Sequence, residues 1–119
     1  MGKFLISFVF LLLAVMISRS VMGSEFIDCN DVYFNFFYCQ EYIEGDYYYV
    51  PSDCCVGLKY LNSLAQLEKT APRLICQCIE TNAGANHPPF SYQRIQALHA
   101  VCHVHLSFPI SERMDCSKV

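Results

Sequence analysis

The sequence predicts an all-α domain, a four-helix bundle stapled by disulfides and crossed by a long C-terminal coil. Three observations point there. Apolar residues recur at spacings of three and four in four successive segments. Eight cysteines, an even number, follow an N-terminal stretch of secretory character. The last seventeen residues, His103–Val119, have no sustained period and contain Pro109.

Residues 1–23 read as a signal peptide. Lys3 precedes the apolar run Phe4–Ile17, and Val21-Met22-Gly23 are small or apolar where cleavage would fall. The run is short of the ~20 residues a spanning helix needs. Cleavage after Gly23 leaves 96 residues, 24–119, as one domain in an oxidising compartment. Without Lys3 and Arg19, six basic residues face eleven acidic ones, a net charge of −5. That balance argues against nucleic acid and against attraction to anionic membranes.

The first helix is expected over Asp28–Glu44, where Cys29, Val32, Tyr33, Phe36, Cys39, Gln40 and Ile43 form a stripe closed by Gly45. The loop from Gly45 to Pro51 carries Tyr47, Tyr48 and Tyr49, which cannot all face inward. Ser52 is placed as the cap of a second helix, with Asp53 in its first turn. Cys55, Leu58, Leu61, Leu64, Ala65 and Leu67 supply its apolar side, and it is expected to end near Glu68.

Thr70 is placed as the cap of a third helix, with Pro72 tolerated in the first turn. Ile75, Cys76, Cys78 and Ile79 carry it to about Thr81, and Asn82–Gly84 closes it. After the Pro88-Pro89 loop, Ser91 caps a fourth helix whose Ile95, Leu98 and Cys102 share a face. His103–Val119 is then an ordered coil laid across the bundle and tied down at Cys116.

The cysteine order is C-x9-C-x14-CC-x20-CxC-x23-C-x13-C. Adjacent helical residues point about 100° apart and residues two apart about 200°. Cys54 and Cys55, and likewise Cys76 and Cys78, therefore need separate partners, found among Cys29, Cys39, Cys102 and Cys116. The sequence alone leaves 105 pairings open. Bridges contribute ~2 to 4 kcal/mol each, so four exceed what bare stability demands and suit a cage holding an interior open.

This cysteine order resembles that of the plant non-specific lipid-transfer proteins, in particular their first type. Two runs add to the likeness. Cys54-Cys55-Val56-Gly57-Leu58-Lys59-Tyr60-Leu61-Asn62-Ser63 is similar to the family's CC-x-G-V-K-x-L-N, and Asp115-Cys116-Ser117-Lys118-Val119 to its D-C-S-x-V ending. The polar Gln77 inside CxC also fits the first type. The resemblance implies the pairs Cys29–Cys78, Cys39–Cys54, Cys55–Cys102 and Cys76–Cys116.

It further implies four helices under the coil, an apolar tunnel for acyl chains, and a monomer in the cell wall or apoplast. Such a protein carries fatty acids and phospholipids between membranes, with transient membrane contact, or delivers wax and cutin lipids to the wall. Val32, Phe36, Leu58, Ile79, Ile95, Leu98 and Ile110 are the expected tunnel walls, a role that overlaps with core packing. Arg73 and Phe108 are expected at the mouth.

Two mouth motifs are only partly kept. Where the family has T/S-x-x-D-R/K, this chain has Thr70-Ala71-Pro72-Arg73, with the base but no Asp. Where it has P-Y-x-I-S, this chain has Ser107-Phe108-Pro109-Ile110-Ser111, without the tyrosine hydroxyl. The interval before Cys76 is one residue longer than the first type's. Arg73 keeps a guanidinium able to pair with a carboxylate or phosphate.

No catalytic constellation stands against the carrier reading. Eight paired cysteines leave no thiol nucleophile, and there is no nucleophile elbow or phosphate loop. His99, His103 and His105 make at most half a metal site, with no nearby Asp or Glu, so neither metal nor cofactor is expected. The alternative is a protease or α-amylase inhibitor of the related eight-cysteine seed proteins. The CC-x-G-x-K-x-L-N run favours the carrier, and a net charge of −5 opposes a membrane-permeabilising peptide.

Overall fold

The computed structural model describes residues 27–119, so the expected signal peptide lies outside the described residues. Four helices follow one another: α1 Cys29–Glu44, α2 Ser52–Ala65, α3 Ala71–Ala83 and α4 Tyr92–Cys102. Residues 103–119 form no further helix or strand.

The Asp28 carboxylate opens α1 by accepting from the Asn30 N–H at 2.9 Å. Gly45 closes it at φ 102°, a left-handed position that suits glycine, and donates its N–H to the last carbonyls. Val32, Phe36, Cys39, Tyr42 and Ile43 form the buried stripe. Tyr33, expected in it, is 42 % exposed, and its place is taken by Tyr42. Gln40 stays at the edge, where its amide donates to Glu44 and accepts from Asn82.

The cap of α2 is Pro51, not Ser52, which lies inside the first turn. The Pro51 carbonyl accepts from the Cys54 N–H, so backbone does the work expected of the serine hydroxyl. α2 also ends at Ala65, short of Glu68. Gln66 and Leu67 donate to carbonyls three residues back, tightening the last turn, and Leu67 is left exposed.

Thr70 precedes α3 in a helical conformation (φ −88°, ψ −12°), which leaves its hydroxyl without a capping bond. Pro72 sits in the first turn, where its missing N–H costs nothing. α3 runs past Thr81 to Ala83 before Gly84 stops it. Ser91 Oγ caps α4 by accepting from the Arg94 N–H at 3.3 Å.

The disulfides join Cys29 to Cys78, Cys39 to Cys54, Cys55 to Cys102 and Cys76 to Cys116. Three of them span 40 to 49 residues of sequence, so they link distant helices and the coil. α1 and α2 cross so closely that a Cβ built on Gly57 would stand 1.9 Å from the Asn35 carbonyl oxygen. No larger residue fits that crossing without moving backbone.

The coil is held by bonds to the bundle. Asn62 in α2 donates to the His105 carbonyl at 3.2 Å and accepts from the Ser107 N–H at 2.6 Å. Phe90 donates its N–H to the Glu112 carbonyl at 2.8 Å, and the Cys116 N–H donates to the Glu80 carboxylate at 3.3 Å. The stretch Phe108–Ser111 lies between the first two of these anchors.

Candidate functional site

Val32, Phe36, Leu58, Ile79, Ile95, Leu98 and Phe108 belong to one buried apolar cluster drawn from every helix and the coil. Each is exposed by 3 % or less. The expected tunnel walls thus lie in the buried core, together with Phe90. Phe108, expected at a mouth, is buried at 3 % exposure. Ile110 is only partly buried and packs on the edge of the cluster.

Open space adjoins the core where the coil passes α4. A cleft of about 480 Å³ has Ile95 and Ile110 as its inner wall, flanked by Pro89 and Tyr92. Gln96, Ser111, Glu112 and Arg113 complete the lining. Its volume falls within the ~300 to 1,000 Å³ of small-molecule sites. Ile95 itself belongs to the buried cluster, and Ile110 packs against that cluster.

Arg73 stands elsewhere. It is exposed on the first turn of α3, where its Nε–H donates to the Val119 carbonyl at 2.6 Å. It lines a separate cleft of about 400 Å³ with Lys69, Thr70, Pro72 and Val119. The two residues expected together at one mouth, Arg73 and Phe108, therefore have different surroundings: one lies on the surface and the other in the core.

Arg94 was missed by sequence reasoning. Its guanidinium donates to the carbonyls of Tyr42 and Tyr47 and lies 4.8 Å from the centroid of the Tyr42 ring. A cation so placed answers the carbonyl-rich end of α1 and fixes α4, one wall of the cleft, against it. Tyr92, Glu112 and Arg113 had no periodic or motif signal either. Only the i−3 position of Tyr92 relative to Ile95 could have brought it forward.

Two side-chain contacts fix surface geometry near the motif runs. Tyr60 donates its hydroxyl to Asp31 at 2.7 Å, joining α2 to α1, and this bond pushes its pKa above the ordinary tyrosine value. Asp115 accepts from the Ser117 hydroxyl at 2.7 Å and N–H at 3.0 Å, which hold its carboxyl below the usual range. Among the described residues, no group of three or more His, Cys, Asp or Glu could hold a metal ion. No helix among them is long and apolar enough to cross a membrane.

Comparison with known proteins agrees with this architecture. Residues 29–116 match the model of the protease inhibitor/seed storage/LTP family. Non-specific lipid-transfer protein 13 of Arabidopsis thaliana is 43 % identical over 91 residues, covering 76 % of this chain and 72 % of that protein. The structure of the allergen Art v 3 superposes with a TM-score of 0.61 at 32 % identity, over 78 % of this chain and 98 % of that one. Wheat non-specific transfer protein, solved in complex with two molecules of phospholipid, gives a TM-score of 0.58 at 30 % identity over 78 % of this chain and all (100 %) of that one. Four disulfide-stapled helices, the cysteine order and these likenesses lead to one conclusion: the chain belongs to the protease inhibitor, seed storage and lipid-transfer protein family.

Proposed function

We propose that the protein is a secreted, monomeric carrier that takes up the acyl chains of fatty acids and phospholipids and releases them at membranes or in the cell wall. The observation that carries this reading is the cleft under the coil. Its inner wall is Ile95 and Ile110, and Ile95 belongs to the buried core. The coil supplies the moving wall. Between the Asn62 and Phe90 anchors, Pro109–Ser111 is not buried and has no helical hydrogen bonds to break, whereas parting two helices would disrupt packing that bridges enforce.

Burial of an acyl chain contributes ~0.8 kcal/mol per CH₂, offset by the loss of the ligand's own freedom. A wall that recognises apolar length and little else discriminates weakly among lipids. The lipid-transfer names of the relatives and the phospholipid bound to the wheat protein favour a carrier over an inhibitor. The acidic surface fits transient contact with zwitterionic membranes rather than adsorption to anionic ones.

Displacement of a fluorescent fatty acid is the test. Unlabelled fatty acids and lysophospholipids should compete, with affinity rising as the acyl chain lengthens. No displacement by any acyl ligand, together with inhibition of a protease or an α-amylase, would replace the carrier with the inhibitor.

A further inference from the structure

We propose that Arg113 is the headgroup contact of the cleft between α4 and the coil, and that the ligand favoured there is a long-chain amphiphile ending in a single negative charge. This rests on the acyl-binding reading above. An amphiphile whose tail passes Ile95 and Ile110 brings its polar end to the rim, where Arg113 stands.

The guanidinium is held by one bond and stands on an anchored stretch of backbone. One of its nitrogens donates to the His87 carbonyl at 3.3 Å, using a single N–H of the five in the fork. Its own carbonyl accepts from Ser111 Oγ at 2.7 Å, and the carbonyl of the preceding Glu112 accepts from the Phe90 N–H. The backbone just before Arg113 is therefore anchored to Phe90, at the end of the loop that leads into α4, and the side chain reaches back to His87 within that loop. The remaining donors suit the bidentate geometry of a carboxylate.

Charge limits what fits. Glu112 lines the same cleft and repels any anion there, so a dianionic headgroup would meet about twice the repulsion that a monoanion does. Arg113 also borders an adjoining cleft of about 380 Å³ beside Glu80 and His87, which gives a bulkier headgroup room beyond the rim. Arg73 cannot serve the same ligand end. It lines a different cleft and spends its Nε–H on Val119.

Titration of hexadecanoate, hexadecanol and lysophosphatidylcholine against the mature protein, Arg113→Gln and Arg73→Ala separates the possibilities. Arg113→Gln should weaken hexadecanoate roughly tenfold, the equivalent of ~1.4 kcal/mol, and leave hexadecanol unchanged, which also shows that the apolar site is intact. A parallel loss for lysophosphatidylcholine would extend the contact to a phosphodiester, and a loss confined to hexadecanoate would restrict it to carboxylates; both support the proposal. An unchanged ratio of acid to alcohol affinity, or a selective loss carried by Arg73→Ala instead, would overturn it while leaving the carrier reading standing. Failure of the unmodified protein to bind hexadecanol or hexadecanoate would overturn the carrier reading itself.

Discussion

Gly57 shows how a single missing atom sets the distance between two helices. A methyl group at this position would overlap the Asn35 carbonyl, a backbone atom of α1 with no rotamer to change. Gly57→Ala should therefore destabilise the fold by about 3 kcal/mol, the upper end for overpacking, read as a lowered urea midpoint with helices intact at zero denaturant. An unchanged midpoint would mean that α1 and α2 cross farther apart. Asn62, in the same Cys54–Ser63 run, clamps the coil at His105 and Ser107. Both residues were legible only as part of a family pattern. Their partners lie 22 residues upstream and more than 40 downstream, and neither periodicity nor burial pattern encodes such pairs.

At the scale of elements, the helices were legible where local chemistry decides them and blurred where backbone does. Asp28, Gly45 and Ser91 act as their residue types suggest. Ser52 and Thr70 do not, because the Pro51 carbonyl opens α2 and Thr70 is itself helical. The α1 stripe shifted by one flank, from Tyr33 to Tyr42, since tyrosine tolerates either environment and the Arg94 contact that favours Tyr42 comes from another element. The Tyr60–Asp31 bond between α2 and α1 makes a pH-dependent strut. Its folded pKa is raised, so its stabilisation is complete below the unfolded value near 10 and is lost as pH rises through the folded value. Thermal melts should fall more steeply above pH 10 in the native protein than in Tyr60→Phe, and parallel curves would show that the strut carries no stability.

For the whole molecule, the bridges hold the helices more tightly to one another than to the coil. Cys29–Cys78, Cys39–Cys54 and Cys55–Cys102 tie helix to helix, whereas only Cys76–Cys116 reaches the coil. The all-α class, the helix order and the coil were readable from spacing. The surroundings of Arg73 and Phe108 were not, because spacing does not tell that one faces solvent beside Val119 and the other is buried. The most direct test of an acyl chain seated between α4 and the coil is photo-crosslinking with a fatty acid that carries a diazirine in mid-chain, followed by peptide mapping. Adducts should concentrate on the peptides containing Ile95 and Ile110 and fall away when excess unlabelled fatty acid is added. Saturable labelling that mapped instead to the Arg73–Val119 cleft, or to the exposed rings of Phe34 and Tyr38 on α1, would contradict that placement.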